Sequence, residues 1–323
     1  MRAAIDDALE ISVVGSFSRI GPVIRSRLFD WTSPDPEALA GRTVAITGPT
    51  SGLGLATARA MAGLGARVVL VGRDETRLRA LASSLAAASG ADRYPVVVAD
   101  MASLRSVRAA VASILASERR LDVFVDNAGA IFDTRRETDD GIEATLGLMV
   151  VGPFVLEAGL LPLFEATPGS RVIAVTSGGM YTQRLPVDDL EYRSGSYAGP
   201  KAYARAKRAQ VALMREWSRV SGGRVAFSAM HPGWADTPGL AHSLPGFYRA
   251  MHPLLRSAAQ GIDTILWLAT HPEPATIDGR LFLDRRPRPF DRIPSTRLTP
   301  ADRRRLWDSI VALACGEDPA PAR

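Results

Sequence analysis

The sequence predicts an α/β protein: a single domain built on a doubly wound, mostly parallel sheet, with an N-terminal extension and a C-terminal lid and tail. Three observations predict it. Short, near-continuous runs of Val, Ile and Ala recur along the chain. Helical stretches of roughly 12–18 residues separate them, the alternation of βαβ units. The first run ends in a Gly-rich turn. Unbroken apolar runs are what strands covered on both faces require, and right-handed crossovers wind them into one sheet.

The elements follow in order. Residues 1–40 form an extension that ends in the Pro-rich linker SPDPEALAG. Thr43-Val44-Ala45-Ile46 is the first strand, followed by the glycine turn and the helix former LATARAMAGLG. RVVLV at 67–71 is the second strand, and Asp74 is placed to cap the helix after it. PVVVA at 95–99, LDVFV at 121–125, RVIAVT at 171–176 and the run at 225–229 complete six strands. The domain is expected over 41–283, with a lid at about 238–256 that carries two Pro and two Gly. A tail, 284–323, would end in a helix at PADRRRLWDSIVALA; the chain past Pro232 otherwise reads as irregular.

Composition excludes several function classes. With 323 residues, 46% hydrophobic and 23% charged, the chain is globular rather than disordered. The net charge of +5 is spread out, with no basic run longer than Arg303-Arg304-Arg305, so no nucleic-acid partner is expected. Cys315 is the only cysteine and the four histidines are scattered, so neither a disulfide framework nor a metal site is expected. The N-terminus lacks a secretory pattern, and a cytoplasmic location is expected. The apolar stretch 147–164 carries Glu157, Pro153 and Pro162, which favours a buried helix over a membrane span. Residues 8–30 mix apolar side chains with Arg; they are read as packed on the domain, with peripheral membrane contact as the alternative.

One bias is informative. Of 39 basic residues only Lys201 and Lys207 are lysines, and Asn127 is the only asparagine. Where those side chains survive, the chemistry has reason to demand them.

The turn Gly48-Pro49-Thr50-Ser51-Gly52-Leu53-Gly54 suits a pyrophosphate. Glycines let the backbone approach it, and the following helix presents N–H groups and the positive end of its dipole. At the end of the second strand, Arg73 offers a planar fork to a 2′-phosphate, so NADP is expected ahead of NAD. Asp74 would repel that phosphate unless it turns into the helix cap.

Both lysines follow a tyrosine by four residues, in Tyr197-x-x-x-Lys201 and Tyr203-x-x-x-Lys207. On a helix that spacing sets an ammonium beside a phenol and lowers its pKa, preparing it for proton exchange with an alcohol or carbonyl. Gly199 and Pro200 interrupt the first motif, whereas the second lies in unbroken helix former and Pro200 suits its start. Tyr203 and Lys207 are therefore the expected pair.

With these motifs in hand the chain resembles the short-chain dehydrogenase/reductases, a Rossmann-fold family. The residues that carry the resemblance are Thr47-Gly48-x-x-x-Gly52-x-Gly54, Asn127-Ala128-Gly129, Thr176-Ser177, Tyr203-x-x-x-Lys207 and Pro232-Gly233-x-x-x-Thr237, over roughly residues 41–240. SGGM at 177–180, HPGWADTPG at 231–239, LPGF at 244–247 and AQGIDTILWLA at 259–269 look like the family's dehydrogenase/reductase member-twelve group. The resemblance implies that Ser177 hydrogen-bonds the substrate oxygen, Tyr203 is the general acid/base, and Lys207 holds the nicotinamide ribose while depressing the tyrosine pKa. It implies that Asn127-Ala128-Gly129 supports the sheet and the adenine–ribose side, that Asp100 contacts adenine, and that Pro232 and Thr237 face the nicotinamide amide. It also implies pairing of two copies through helices at about 144–162 and 203–219, a face the extension could block.

One position departs from the family pattern. Its members usually carry an asparagine in the helix after the Asn-Ala-Gly loop, holding a water in the proton relay, and here that position is Met149. A thioether is at best a weak acceptor. Around the site, Met180, Tyr181, Trp234, Leu244, Phe247, Tyr248 and Met251 are expected to form an apolar wall for a hydrophobic ketone, aldehyde or alcohol. Two functions follow: an NADP(H)-dependent carbonyl reductase or alcohol dehydrogenase, or a catalytically weak NADP-binding regulator or membrane-associated scaffold.

Overall fold

The computed structural model describes residues 1–91 and 93–316; the end of the expected tail, 317–323, lies outside the described residues. Eight strands form one sheet in the order β3-β2-β1-β4-β5-β6-β7-β8. They are β1 (Thr43–Thr47), β2 (Arg67–Gly72), β3 (Val96–Val98), β4 (Val123–Asp126), β5 (Arg171–Val175), β6 (Ala226–Met230), β7 (Leu281–Leu283) and β8 (Arg286–Arg288). All neighbours pair parallel except β7 with β8. The order reverses between β1 and β4, and in such sheets ligands bind outside the carboxyl ends of the strands at that switch.

The chemistry of the runs explains the order. β1, β4, β5 and β6 are buried along their whole length, so neither face can carry a polar alternation. One apolar cluster lies on each side of the sheet, around Phe124, Leu156, Phe164 and Phe227 on one and Ile46, Leu70, Ile173 and Phe282 on the other. Asp74 accepts from the Arg77 amide at 3.0 Å and so caps the helix Glu75–Ser89.

Helix Ala144–Glu165 has a mean hydropathy of 1.9 and, by length and composition, could cross a membrane. Here it packs in the core, with Phe154, Leu156, Leu160 and Phe164 buried. A π-turn interrupts it at Gly147–Val151. Such single turns concentrate at functional sites.

Two regions differ from the sequence reading. The chain past Pro232 is not irregular: it contains the helix Ala258–Thr270 and the β7–β8 hairpin. That hairpin crosses the expected domain boundary at 283, and its turn residues Asp284 and Arg285 both have positive φ, 53° and 57°. Hairpins of this kind normally announce themselves with Asn or Gly at those positions, and here neither is present.

The extension folds into the helices Arg2–Ile11, Val13–Phe17 and Ile20–Leu28. Its inner side is held by buried ion pairs. Arg25 meets Asp6 at 2.6 Å, Glu10 at 2.9 Å and Asp284 at 2.7 Å. Arg256 takes Asp284 in a two-pronged grip at 2.6 and 3.0 Å, and Arg288 takes Asp6. Its outer side leaves Ile11, Val13, Val14, Ile20 and Val23 exposed.

The face expected to pair two copies is covered, and not by the extension. Helix Pro300–Cys315 lies on it, where Trp307 meets Phe154 and Trp217 at ring distances of 5.1 and 4.8 Å.

Candidate active site

Glycine geometry shapes the loop after β1. Gly48 has φ of 65°, a conformation that disfavours any side chain. A Cβ on Gly54 would collide with the Gly48 carbonyl oxygen and stand 2.5 Å from Asn127 Nδ2. The loop is therefore folded against the end of β4. Asn127 holds it there: its amide donates to the carbonyls of Thr47 at 2.9 Å and Gly48 at 3.3 Å. The backbone amides of Asn127 and Ala128 both donate to Thr47 Oγ1. The helix Gly52–Gly63 opens directly from the loop, with Ser51 as its N-cap and no side-chain cap bond. Thr50, Ser51 and Leu53 line this turn, and Leu53 packs on Gly261. The residues present leave an open cradle at a helix N-terminus, and a pyrophosphate fits it.

Beyond β2, Arg73 is exposed, and Asp74 is turned into its helix as the cap. Arg77, which the sequence reading did not single out, donates to the Thr50 carbonyl at 3.0 Å and adds a second cation beside the loop. Asp100 closes its own turn by accepting from the Ala102 amide at 2.9 Å. Thr237 caps the helix Pro238–Ser243, and its methyl group stands 3.6 Å from where a Gly52 Cβ would lie. Pro232 is buried.

Ser177 lies two residues past β5, and its Oγ accepts from the Gly179 amide at 3.3 Å. The helix Gly199–Ser221 begins with Pro200 in its first turn, so Tyr203 and Lys207 share one face of regular helix. Tyr203 stands beside Ser177. Tyr197 precedes the helix and points elsewhere, donating to Glu143 Oε1 at 3.1 Å and meeting Thr145 Oγ1 at 3.0 Å. Lys201 is exposed on the first turn.

The electrostatics correct one expectation. Burial pushes the Tyr203 phenol up to about 12, outweighing the neighbouring Ser177 hydroxyl that pulls it down. Lys207 was expected to lower it, but its ammonium sits 5.7 Å from the ring centroid and donates to the Val175 carbonyl at 2.8 Å. Burial brings Lys207 down to about 8, with the attraction of Asp126 opposing the fall. Burial also raises Asp126 to about 6, although Lys207, Gln210 at 2.6 Å and Thr47 favour its charge. Asp126, at the end of β4, is a buried partner of Lys207 that sequence reading missed. A carboxylate next to the only asparagine was its one signal.

Met149 is fully buried in the π-turn, and its sulfur lies 3.0 Å from where a Gly129 Cβ would stand. The same Cβ position is 3.6 Å from Lys207 Nζ. The sulfur and the ammonium thus both approach the Gly129 position.

The expected apolar wall divides in two. Met180 and Tyr181 are core residues, and the Tyr181 hydroxyl donates to the Pro289 carbonyl at 2.9 Å. Trp234, Leu244, Phe247, Tyr248 and Met251 are half-buried, with Trp234 and Phe247 edge to face at 5.2 Å. The segment read as a lid forms two short helices with no buried residue, but its last positions, Leu255 and Arg256, are anchored in the core.

Comparison with known proteins agrees with this geometry. The short chain dehydrogenase family profile matches residues 42–245. The chain is 37% identical over 288 residues to dehydrogenase/reductase SDR family member 12 of Bos taurus, covering 88% of this chain and 90% of that protein. It is 33% identical over 292 residues to polyprenol dehydrogenase of Mus musculus, with 87% of each covered. A crystal structure of an uncharacterized protein from Mycobacterium paratuberculosis superposes with a TM-score of 0.70 at 28% identity, covering 90% of this chain and 99% of that one. The protein belongs to the short-chain dehydrogenase/reductase family and is an oxidoreductase acting on CH–OH and C=O groups.

Proposed function

We propose that the protein interconverts a hydrophobic carbonyl compound and its alcohol with NADP(H), using Tyr203 as general acid/base. One observation carries the reading: Tyr203 stands beside Ser177, with Lys207 one turn further along the same helix. A phenol at about 12 stays protonated at working pH and can donate to a carbonyl oxygen that Ser177 also holds. Residues 48–54, Arg73, Asp100, residues 127–129, Pro232, Thr237 and Lys207 would hold the dinucleotide. When bound, it would give or accept the hydride. The half-buried aromatic and aliphatic groups around Trp234 support an apolar substrate, as does the name of the polyprenol dehydrogenase relative. For location we propose the cytoplasm, with the exposed apolar side of the extension as the place of any membrane contact. A screen of apolar ketones, aldehydes and alcohols, followed by NADPH absorbance with Tyr203→Phe as control, tests the reading. NADPH binding without turnover of any compound overturns it.

Coenzyme choice is a separate expectation. With Asp74 committed to its cap, Arg73 and Arg77 leave a positive corner at the end of β2. kcat/KM should favour NADPH over NADH by about tenfold or more, and Arg73→Ala should remove about tenfold of that preference, about 1.4 kcal/mol. A clear preference for NADH in the wild type would sink the choice of NADP.

The second reading, a dinucleotide-binding protein with weak turnover, is favoured by Met149, whose thioether approaches Gly129 as Lys207 does. Because the Val175 carbonyl and Asp126 already engage the ammonium, Met149→Asn is expected to change kcat by less than about threefold. A gain of tenfold or more would show that the thioether limits proton transfer.

A further inference from the structure

The N-terminal extension reaches the neighbour of Ser177 through one side chain. Phe17 ends the helix Val13–Phe17, outside the span that the family profile matches, and is buried. Its ring lies against Gly178, the residue directly after Ser177. A Cβ built there would overlap the ring edge and stand 3.0 Å from Cδ2. On its other sides the ring meets His231 at 4.6 Å and Trp234 at 5.9 Å, both edge to face. The backbone is seated as firmly: the Phe17 carbonyl accepts from the Trp234 amide at 2.7 Å and from Arg256 Nε at 2.9 Å. Trp234 continues the row to Phe247 on the lid. A line of aromatic rings thus runs from behind the catalytic serine to the lid, and its inner member comes from the extension.

We propose that Phe17 is a specificity-determining residue, the back wall that limits how large a group the substrate can carry next to its reacting carbon. The inference rests on the carbonyl/alcohol reading above. Its physical basis is volume. Protein interiors are close-packed, so shortening a ring held between Gly178 and Trp234 leaves space that the surroundings fill only in part, beside the serine that holds the substrate oxygen. Enlarging the ring pushes Gly178 and Trp234 into the cleft instead.

The test uses the full chain with NADPH and two aryl ketones of different bulk, acetophenone and 2-acetonaphthalene. The ratio of kcat/KM for the larger ketone over the smaller is expected to rise at least tenfold in Phe17→Ala and to fall in Phe17→Trp. NADPH affinity, measured by titration, should stay within twofold of wild type in both. Phe17→Leu replaces Phe17→Ala if the latter does not fold, with a smaller shift in the same direction. A ratio unchanged within twofold in both directions, or turnover and NADPH affinity lost together, overturns the inference. A wild type that reduces neither ketone nor any compound in the screen sinks the functional reading, and this inference with it. A wild type that reduces both with a ratio indifferent to Phe17 sinks this inference alone.

Discussion

Tyr203→Phe is expected to lower kcat/KM by roughly three to four orders of magnitude while leaving NADPH affinity within about twofold, the upper range for loss of a positioned acid/base. The substitution removes one oxygen and retains the ring, so the packing of the helix Gly199–Ser221 is unchanged. Tyr197→Phe is the matched control. Its hydroxyl serves Glu143 and Thr145 at the start of another helix, and its loss should change turnover by less than about threefold. The reverse pattern would move the chemistry to the other tyrosine. Proton balance adds a pH signature. Lys207 loses its charge as pH rises through about 8, so turnover that needs the ammonium should fall on that alkaline limb. Asp126→Asn removes the attraction that opposes this loss and should move the limb to lower pH.

Asp284→Ala should be the most damaging single change to stability. One carboxylate serves Arg25 and Arg256, and both guanidiniums are among the largest fully buried side chains in the protein. Removing one partner of a buried pair costs about 3–5 kcal/mol, because the remaining charge has no water to return to. For a chain of this size the melting temperature should fall by roughly 10 °C. The left-handed backbone at Asp284 separates this cause from strain. Asp284→Gly relieves the φ of 53° yet loses the carboxylate and should remain strongly destabilised, whereas Asp284→Asn retains hydrogen bonding and should be milder. Calorimetric unfolding of the three variants decides; an Asp284→Gly protein as stable as wild type would rule out the ion pairs as the cause. The same network sets the acid limit. Burial alone would raise the Asp6 carboxyl, but hydrogen bonds from Arg288 and Arg25 outweigh it and hold it below the usual carboxylate range. Its contribution is therefore complete above that range and is lost as pH falls through the lowered folded value.

How much could be read in advance follows the range of the interactions. The parallel strands were legible because their burial on both faces is written in consecutive residues such as Val68 to Val71. Tyr203 could be chosen over Tyr197 because Pro200 is a local signal. The β7–β8 hairpin was not legible: Asp284 lacks the glycine that usually follows it in such a turn, and the side chains of Asp284 and Arg285 are held by Arg25, Arg256 and Asp263, distant in sequence. Nor was the tyrosine's pKa, since adjacency of Lys207 is local but burial and the competing Val175 carbonyl are not. Likewise the cover on the helix pair came from Trp307 at the other end of the chain rather than from the extension.

The grip of Arg288 on Asp6 joins residues 282 positions apart. A ribosome makes Arg288 long after Asp6, so during synthesis the first helices can pair Asp6 and Glu10 with Arg25 but must wait for Arg288, and Arg25 must wait for Asp284. Domains generally fold as they emerge, but this one cannot seat its extension until the β7–β8 hairpin has been made. Until then the extension is an apolar segment without its distant partners, a target for chaperones and proteases while the strands from β1 to β5 can already fold behind it.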